Sequence, residues 1–489
     1  MRALVLLPAL LCSCAGGARL VDDADLAPLR AAAGPARPAT WVVQGAYRDG
    51  AGEGDFEDRF ADDGRFARQH RSALPGGAGD DGHTPWSLTI DGLSRPAAGR
   101  GAREAWVTAA VLSGTWLAPT SSVVVGRRGA HAYDLSVEGE LVATLRVDPA
   151  TALPQRLEFR RTYGDRNLTL GDWRTPLGFP VAHELMLSSD HGSIASWHVR
   201  RVTAQETLFT PPPAPDDHSF SSPRSEVPAH RIGTRMVVAV NCEDAPQGWW
   251  LVDTGSGSST VSADLAQRLA WPVVGHATLV GAGGRATRGL RRSGSLRVGA
   301  MEVTGLPLVE GDLSILSASL GVDLDGVLGA DLLARCVLEL DFPAARAWVA
   351  DPDLWTAPAQ ATPISFDGRV PLLEASFAPG HRGTLRLDTG SDDTLTFHGP
   401  TVRRLGLAYG REDLVTVRVR GLGGEVLGDR GVHGWLETGG QRFVAFPATY
   451  LRHSTGGFAR EDLAGNLGAA LFARHRLVLA LPHECIVVE

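Results

Sequence analysis

The stretch LVDTGSGSST, residues 251–260, interrupts an apolar run with a carboxylate. The residues GWWLV, at positions 248–252, indicate a buried strand. Asp253 then stands where another apolar residue is expected, and a threonine, a glycine and a serine follow it. An acid at the end of a core strand is a candidate functional group, and the rest of the chain decides how it is used.

The same motif occurs a second time. WWLVDTGSGSSTV is followed by GVLGADLLARCVLELD, and LRLDTGSDDTLTF is followed by GNLGAALFARHRLVLA. Gly329 lies 76 positions after Asp253, and Gly468 lies 80 positions after Asp388. Both segments predict a strand, Asp-Thr-Gly-Ser, a glycine-rich turn, further strands, Leu-Gly, a short helix and a final strand. An internal duplication explains this shared order.

The composition excludes several classes of function. The chain has 489 residues, 44% of them hydrophobic, and a formal net charge of -8, which allows two to four domains. An acidic balance without a long basic run predicts that nucleic acid is not a partner. The sequence contains no lysine, so all 47 Lys+Arg residues are arginine. P-loop nucleotide binding, Schiff-base chemistry and lysine general bases are therefore excluded.

The N-terminal residues MRALVLLPALLCSCAGG have the pattern of a secretion signal, because their apolar core is too short to span a bilayer. Residues 11–14, LCSC, resemble a bacterial lipobox, which predicts a signal peptide over residues 1–14 and lipidation of Cys14. Ala15, rather than an aspartate, follows Cys14. This favours a lipid anchor in the outer membrane of a bacterial envelope, facing the periplasm. A plain signal peptide that contains cysteine is the alternative.

Cysteine and histidine usage predicts neither a metal nor a cofactor. Neither Cys-x-x-Cys nor His-Glu-x-x-His is present in the sequence. At most one disulfide can form in the mature chain, whose cysteines are Cys242, Cys336 and Cys485. Several scattered histidines are interpreted as surface or strand residues rather than ligands, namely His398, His475 and His483.

The chain is predicted to be mainly β and to divide at two breaks. Residues 211–228 are rich in proline and serine and predict a linker, and residues 351–363 predict a shorter one. Residues 20–210 predict a curved antiparallel sheet with few helical signals apart from residues 102–112. This part loosely resembles lipoprotein-carrier sheets of the bacterial envelope, and it is interpreted as a spacer or a binding sheet. The remaining domains are predicted at residues 229–350 and 364–489.

Asp-Thr-Gly at a strand end is the signature of aspartic proteases, and residues 229–489 resemble a retropepsin-like or pepsin-like aspartic protease with both lobes in one chain. The resemblance implies a bilobal all-β fold with short helices. It also implies that Asp253 and Asp388 meet, share one proton and activate a water that attacks a peptide carbonyl. Because coupled acids titrate as a pair, the sequence leaves open which of the two is the base.

The resemblance also implies supporting roles for the residues that follow each acid. The threonines are expected to hydrogen-bond across the lobes, and the glycines to let the backbone turn and bring amides near the carboxylates. The serines are expected to hydrogen-bond the outer oxygens of the acids. These residues are Thr254, Gly255, Ser256, Thr389, Gly390 and Ser391.

The Leu-Gly elements are expected to pack beneath the two acidic loops. Asn466 departs from the family pattern, because it stands where an apolar residue is usual, and it predicts a less rigid second lobe. Asp392 and Asp393 are interpreted as solvated loop charges. The alternative is that one of them points inward and raises the pKa of the acidic pair.

Glycine-rich turns between each acid and its Leu-Gly element predict two mobile flaps. Residues 281–286 also match a loose dinucleotide fingerprint, but no helix is expected after them. All five tyrosines lie outside residues 253–388, so the single tyrosine-bearing flap of pepsin-like enzymes is not expected, and a fused retropepsin pair is favoured. The candidate flap and substrate-binding residues are Gly281, Gly283, Gly284, Gly421, Gly423 and Gly424.

These observations predict an aspartic endopeptidase that hydrolyses peptide or protein substrates. A monomer is expected, since a fused pair of lobes need not dimerise to complete its site. The alternative is a non-catalytic envelope lipoprotein that binds peptide or lipid and keeps a degenerate protease fold.

Overall fold

The computed structural model describes residues 19–72, 74–160, 165–189, 192–243, 245–281, 284–421, 424–452 and 456–489. The prediction of a mainly β fold with few short helices is confirmed. Within these residues, no helix has the length and apolar character needed to cross a bilayer. The α-helices α1 to α6 are, in chain order, Asp23–Ala33, Gly99–Ser113, Ala263–Arg268, Ser314–Leu320, Ala330–Leu333 and Gly399–Leu405.

The first sheet has fourteen strands, all paired antiparallel in the order β1-β8-β9-β10-β11-β12-β13-β14-β2-β3-β4-β5-β6-β7. Helix α2 covers the segment predicted to be helical and packs against several of these strands. Strands β1 to β14 are Arg19–Leu20, Thr40–Asp49, Gly52–Ala61, Phe66–Arg71, Gly76–Asp80, Pro85–Leu88, Ser94–Pro96, Val124–Gly129, Ala132–Val137, Glu140–Val147, Pro154–Phe159, Arg166–Arg174, Val181–Ser189 and Gly192–Ala204.

The second sheet contains the strand that leads into the first acidic motif. Its order is β15-β24-β23-β18-β19-β26-β20-β25-β22-β21, and β17 also pairs with β18. Strands β15 to β28 are His218–Phe220, Arg224–Val227, Ala229–Ile232, Arg235–Cys242, Gly248–Val252, Thr260–Ser262, Val273–Gly281, Gly284–Arg292, Ser295–Val298, Met301–Thr304, Pro307–Gly311, Leu324–Leu328, Val337–Asp341 and Arg346–Ala350.

Two further sheets complete the fold. The eight-stranded sheet, β30-β31-β32-β37-β33-β36-β35-β34, contains the strand that ends in the second acid. The six-stranded sheet, β16-β28-β27-β38-β39-β29, joins strands from both repeats. Strands β29 to β39 are Thr362–Pro363, Ser365–Asp367, Val370–Ala378, His381–Asp388, Leu395–Phe397, Val415–Gly421, Gly424–Thr438, Gln441–Leu451, Gly465–Gly468, Arg476–Ala480 and Cys485–Val488.

The strands around the two acids pair in the same pattern. Strand β19 runs parallel to β26, and β32 runs parallel to β37. The next strand in each repeat, β20 or β33, is antiparallel to that partner and parallel to a further strand, β25 or β36. Each repeat also has a long hairpin, β21–β22 or β34–β35. Similar sequence order therefore accompanies similar strand pairing.

The segments predicted as linkers contain short strands. Within residues 211–228, β15 pairs with β24 and β16 pairs with β28. Within residues 351–363, β29 pairs with β39 at an edge of the six-stranded sheet. Extended, proline-rich chain has few side chains to bury, but its backbone still forms edge pairs where proline does not interrupt them.

The cysteines of the described chain contribute to the interior as thiols. Cys242, Cys336 and Cys485 are all buried and free, so none of them forms a disulfide here. Cys242 and Cys336 belong to the large apolar cluster that spans both acid-bearing sheets. Stability therefore rests on apolar packing, in which side chains such as Trp250 and Leu387 are fully buried.

A buried charge network joins the first sheet to the remainder of the chain. The Arg335 side chain is fully buried and donates to a carboxylate oxygen of Asp217 at 2.9 Å. It also donates to the backbone carbonyls of Asp91 and Asp331, each at 2.8 Å. Arg95 of β7 donates to the Asp91 carboxylate at 3.4 Å. Asp91, from the N-terminal part of the chain, thus helps to satisfy the hydrogen bonds and the charge of a buried guanidinium just after α5.

We expect Asp217→Ala to lower the free energy of unfolding by about 3 kcal/mol, because it leaves the buried Arg335 guanidinium without its closest carboxylate. Denaturant unfolding measures the loss. The exposed neighbour Asp216 supplies the matched control, Asp216→Ala, which should change stability by less than about 0.5 kcal/mol. Equal effects of the two substitutions would contradict a stabilising role for the network.

Candidate active site

The two Asp-Thr-Gly-Ser segments meet at one place in the structure. Asp253 directly follows β19, and Asp388 is the last residue of β32. Their carboxyl groups lie in hydrogen-bonding contact, and each is partly buried. Two strands from different sheets therefore end at a common pair of acids.

The threonines interlock the two loops symmetrically. The backbone amide of Thr254 donates to Oγ1 of Thr389 at 3.1 Å, and the amide of Thr389 donates to Oγ1 of Thr254 at 3.1 Å. Each hydroxyl donates in turn to a carbonyl of the opposite strand, that of Leu387 at 2.8 Å or that of Val252 at 3.0 Å. Both threonines are buried, so this set of bonds fixes the separation of the acids.

The glycines are needed because each lies against the opposite acid. A Cβ atom at Gly255 would come within 2.6 Å of the carboxyl carbon of Asp388. A Cβ atom at Gly390 would come within 2.3 Å of the carboxyl carbon of Asp253. Both distances are far below van der Waals contact, so a larger residue at either position would push the acids apart.

Backbone amides orient the carboxylates. Oδ1 of Asp253 accepts from the amides of Gly255 at 2.9 Å and Ser256 at 3.2 Å. Oδ1 of Asp388 accepts from the amide of Ser391 at 3.1 Å. The two serines were expected to bond the acids, and they do so through their amides. Their hydroxyls bond elsewhere: that of Ser256 donates to the Ser258 carbonyl, and that of Ser391 accepts from the Asp393 amide.

The Leu-Gly elements lie directly beneath the acidic loops. The amide of Ala330, after Leu328 and Gly329, donates to the Ser256 carbonyl at 2.8 Å. The amide of Ala469, after Leu467 and Gly468, donates to the Ser391 carbonyl at 2.9 Å. In both repeats, the start of a short helix therefore fixes the loop that follows the acid.

Two residues that the sequence analysis did not assign to the site form a chain of hydrogen bonds that ends at Asp388. Nδ2 of Asn466 donates to Oδ2 of Asp388 at 3.2 Å. Nε2 of His398 lies 2.9 Å from Oδ1 of Asn466. His398 is fully buried, so its interpretation as a surface or strand residue misses this contact. The only sequence signal was that Asn466 replaced an expected apolar residue.

The position of Asp393 differs from the one that the sequence predicted. It was interpreted as a solvated loop charge, but it is buried and accepts from the hydroxyls of Thr396 and Thr449, each at 2.8 Å. Arg430 also forms an ion pair with it. Asp392 is exposed as expected, with Arg235 3.6 Å away. The inward-pointing acid therefore has its own cation and hydroxyl partners.

The protein environment makes the two acids unequal. Burial raises the pKa of Asp253 to about 7, and the negative charge of Asp388 adds to that rise. Burial also raises the pKa of Asp388, but the amide of Asn466 and the positive charge of Arg386 oppose the rise. These contacts favour a shared proton that resides on Asp253.

The glycine-rich turns lie at the ends of two hairpins. Gly281 pairs with Gly284 in β21–β22, and Gly421 pairs with Gly424 in β34–β35. Gly283 and Gly423 lie outside the described residues, as does Cys14. The end of the first hairpin lies against the 3-10 helix Gly456–Ala459, which comes from the second repeat. The first hairpin is therefore placed near the interface of the repeats.

The first hairpin also packs against the first sheet. Leu290 of β22 and Val309 of β25 form a buried apolar cluster with Leu74, which follows β4. Ala51 and Ile90, from the same N-terminal sheet region, lie at its margin. The second hairpin packs Val426 against Leu451 and Phe458 of its own repeat, and several of its other apolar side chains are exposed, namely Val415, Leu427 and Val432. The two hairpins thus have different surroundings.

The described residues contain no cluster of three or more histidine, cysteine, aspartate or glutamate side chains suited to a metal ion. The chemistry that this site can supply with its own groups is acid–base catalysis by a carboxylate and a carboxylic acid in contact.

A family model described as aspartyl protease matches residues 238–332, which include Asp253 and the first Leu-Gly element. No curated protein matches the chain. An outer membrane lipoprotein-sorting domain from Vibrio parahaemolyticus is similar to 38% of this chain and 92% of its own, with 9% identity and a TM-score of 0.26. Basic 7S globulin from soybean is similar to 54% of this chain and 94% of its own, with 11% identity and a TM-score of 0.33. Similarities this low indicate nothing about function.

We expect the contribution of Asp253 to the free energy of unfolding to fall as the pH rises from about 4 to about 7, because Asp253 binds its proton more tightly in the folded chain than in the unfolded one. Asp253→Asn removes that contribution, so its free energy of unfolding should fall less, or rise more, than that of the wild-type protein over this pH range. Denaturant unfolding at several pH values measures the slope. The exposed acid Asp392 gives the control, Asp392→Asn, which should keep the wild-type slope. An unchanged slope in Asp253→Asn would contradict the raised pKa.

Proposed function

We propose that the chain is an aspartic endopeptidase in which residues 229–350 and 364–489 form two fused lobes. The observation that carries the proposal is the contact between the carboxyl groups of Asp253 and Asp388 at the ends of two similarly paired strands. The family match to residues 238–332 supports the proposal for the first lobe. The interlocked threonines and the closely packed glycines support it for both.

In the proposed mechanism, Asp388 is the base and Asp253 is the acid. The Asp388 carboxylate takes a proton from a water molecule, whose oxygen attacks the carbonyl carbon of the scissile bond. Asp253 gives its proton to the carbonyl oxygen, and a neutral gem-diol results. When the diol collapses, Asp388 returns its proton to the leaving nitrogen and Asp253 recovers one from a diol hydroxyl. Each acid therefore ends the cycle as it began.

The substrate that fits this proposal is an extended peptide or protein segment bound between the lobes. Hairpins β21–β22 and β34–β35 are the proposed flaps over it. We also propose that Cys14 is lipidated and that the enzyme works as a monomer anchored in the outer membrane of a bacterial envelope, facing the periplasm. This location rests on the N-terminal sequence.

A binding role for the first sheet is a second candidate function, favoured by a cavity of about 240 Å³ between α2 and the sheet. Its walls combine apolar side chains, such as Phe159 and Trp197, with charged ones, such as Asp58 and Arg68. Mixed linings of this kind are common in small-molecule sites. This role is compatible with peptidase activity elsewhere in the chain.

We expect Asp253→Asn and Asp388→Asn each to lower kcat/KM for peptide cleavage by about a thousandfold, because each removes one of the two proton-transfer groups. Incubation of the purified full-length protein with a mixed peptide library between acidic and neutral pH, followed by mass spectrometry, measures cleavage. A statine-type inhibitor should block it.

Asp392→Asn is the matched control, since it changes the exposed acid four positions after Asp388 and should retain activity. Cleavage that survives in both dyad variants would rule out the proposed mechanism. Binding of peptides without turnover by the folded wild-type protein would favour the non-catalytic alternative.

A further inference from the structure

Asn466 lies between a proposed catalytic acid and a buried histidine. In the sheet register, Asn466 of β37 is opposite Arg386 of β32, two residues before Asp388. Paired residues of neighbouring strands share a face, and so do Arg386 and Asp388, which are alternate residues of one strand. The Asn466 side chain is therefore on the face that carries Asp388. Its Nδ2 donates to Oδ2 of Asp388 at 3.2 Å, and its Oδ1 faces Nε2 of His398 at 2.9 Å.

The other repeat has no such donor at the corresponding position. Leu328 pairs with Val252, and Leu467 pairs with Leu387, so the residues just before these two leucines correspond. They are Val327 in the first repeat and Asn466 in the second. Val327 has an apolar side chain and cannot donate to Asp253. Asp253 accepts hydrogen bonds from two backbone amides, whereas Asp388 accepts one from a backbone amide and one from the side chain of Asn466. The two surroundings therefore differ in this side-chain donor, which is directed at the second oxygen of Asp388.

His398 determines which way the Asn466 amide faces. Burial, together with the charge of Arg386, lowers the pKa of His398 to about 3, which favours the neutral ring. Its Nε2–H can then donate to the amide oxygen of Asn466, which leaves the Nδ2 group directed at Asp388. Nδ1 of His398 has no hydrogen-bond partner among the described residues. The ring of Phe458 packs near the imidazole, with ring centroids 5.5 Å apart.

We propose that Asn466 is a positioning residue that holds Asp388 as the ionised member of the acidic pair, and that His398 fixes the orientation of the Asn466 amide. This inference rests on the proposed function and deepens it, because it identifies the side chains that make Asp388, rather than Asp253, the base of the proposed mechanism. The carboxylate accepts more hydrogen bonds than the carboxylic acid can, so a directed amide favours the charged form.

The other charged groups near the two acids are the same in the wild-type protein and in an Asn466 variant, so they do not explain a difference between the two. The cation closest in sequence, Arg386, is held by an ion pair with Asp367 at 2.8 Å, which Arg460 shares at 2.8 Å. Arg460 also pairs with Asp462. A substitution of Asn466 leaves these residues in place. The charged groups that face Asp388 and His398 are Asp253, Arg386, Arg460 and Asp462.

The test is a carbon-13 NMR titration of Asp388 in the full-length protein, in the Asp253→Asn background so that one acid titrates alone. We expect Asn466→Val, which copies the residue of the first repeat, to raise the pKa of Asp388 by about 1 unit, because the carboxylate loses a hydrogen bond. Thr438→Val is the matched control. It removes a buried hydroxyl that donates to the Glu374 carbonyl at 3.0 Å in the same sheet, without contact with the acids.

The same substitutions can be made in the chain with both acids intact. There, Asn466→Val should move the acidic limb of the kcat/KM profile to higher pH by about 1 unit, with KM nearly unchanged. His398→Leu should act in the same direction, and His398→Gln, which keeps a donor group, should restore the wild-type profile. These two variants test the inference without altering β37, should Asn466→Val fail to fold.

The outcomes separate this inference from the proposed function. If the pKa of Asp388 is unchanged in folded Asn466→Val, or is changed equally by Thr438→Val, the inference is overturned even for an active peptidase. If the pKa rises but the wild-type protein cleaves no peptide, Asn466 does orient the acid and the proposed function fails. A profile that His398→Gln and His398→Leu change equally would contradict the role of His398.

Discussion

Two carboxyl groups in contact inside a protein repel one another unless one keeps its proton, and the loops around Asp253 and Asp388 are arranged under that constraint. The interlocked threonines keep the acids from separating, and the glycines leave no room for other atoms between each loop and the opposite acid. Local amides then stabilise one oxygen of each carboxyl group. The enclosing sheets position this contact, which by itself is unfavourable when both groups are charged.

The cost of the contact is offset elsewhere in the fold. Strands β19 and β32 reach the site through an apolar core in which Trp250, Val252, Leu385 and Leu387 are fully buried. Burial of such side chains contributes roughly 1.5–3 kcal/mol each, so a few of them can hold a strained pair of acids in place. Placement of the acids at strand ends, with the Leu-Gly elements beneath, lets rigid structure rather than mobile loop define their geometry.

The sequence predicted the parts of the site that follow from a doubled local pattern. Asp253 and Asp388 could be paired because each follows an apolar strand and precedes a Leu-Gly element at a similar distance. The contact of His398 with Asn466 could not be predicted, because it joins residues 68 positions apart through a side-chain bond that leaves no periodic signal. The burial of Asp393 was missed for a similar reason, since two of its partners, Thr449 and Arg430, are distant in sequence.

For the fold too, the sequence predicted the features that depend on local pattern and missed those that depend on long-range contacts. The alternation of apolar and polar residues was enough to predict a mainly β chain, and a short run of helix formers was enough for α2. The order of fourteen strands in the first sheet depends on long-range pairing such as that of β2 with β14, which local pattern does not encode. The pairing of β15 and β16 within a proline-rich segment depends likewise on the edges available to them.

The packing of Leu74 against Leu290 and Val309 joins the first hairpin to the N-terminal sheet, whereas the second hairpin packs Val426 against Leu451 and Phe458 of its own repeat. Outward movement of the first hairpin would therefore expose apolar surface on a different sheet as well as its own. A molecule that favoured one position of the N-terminal sheet would favour one position of this hairpin, and by thermodynamic reciprocity a ligand that moved the hairpin would change the affinity for that molecule.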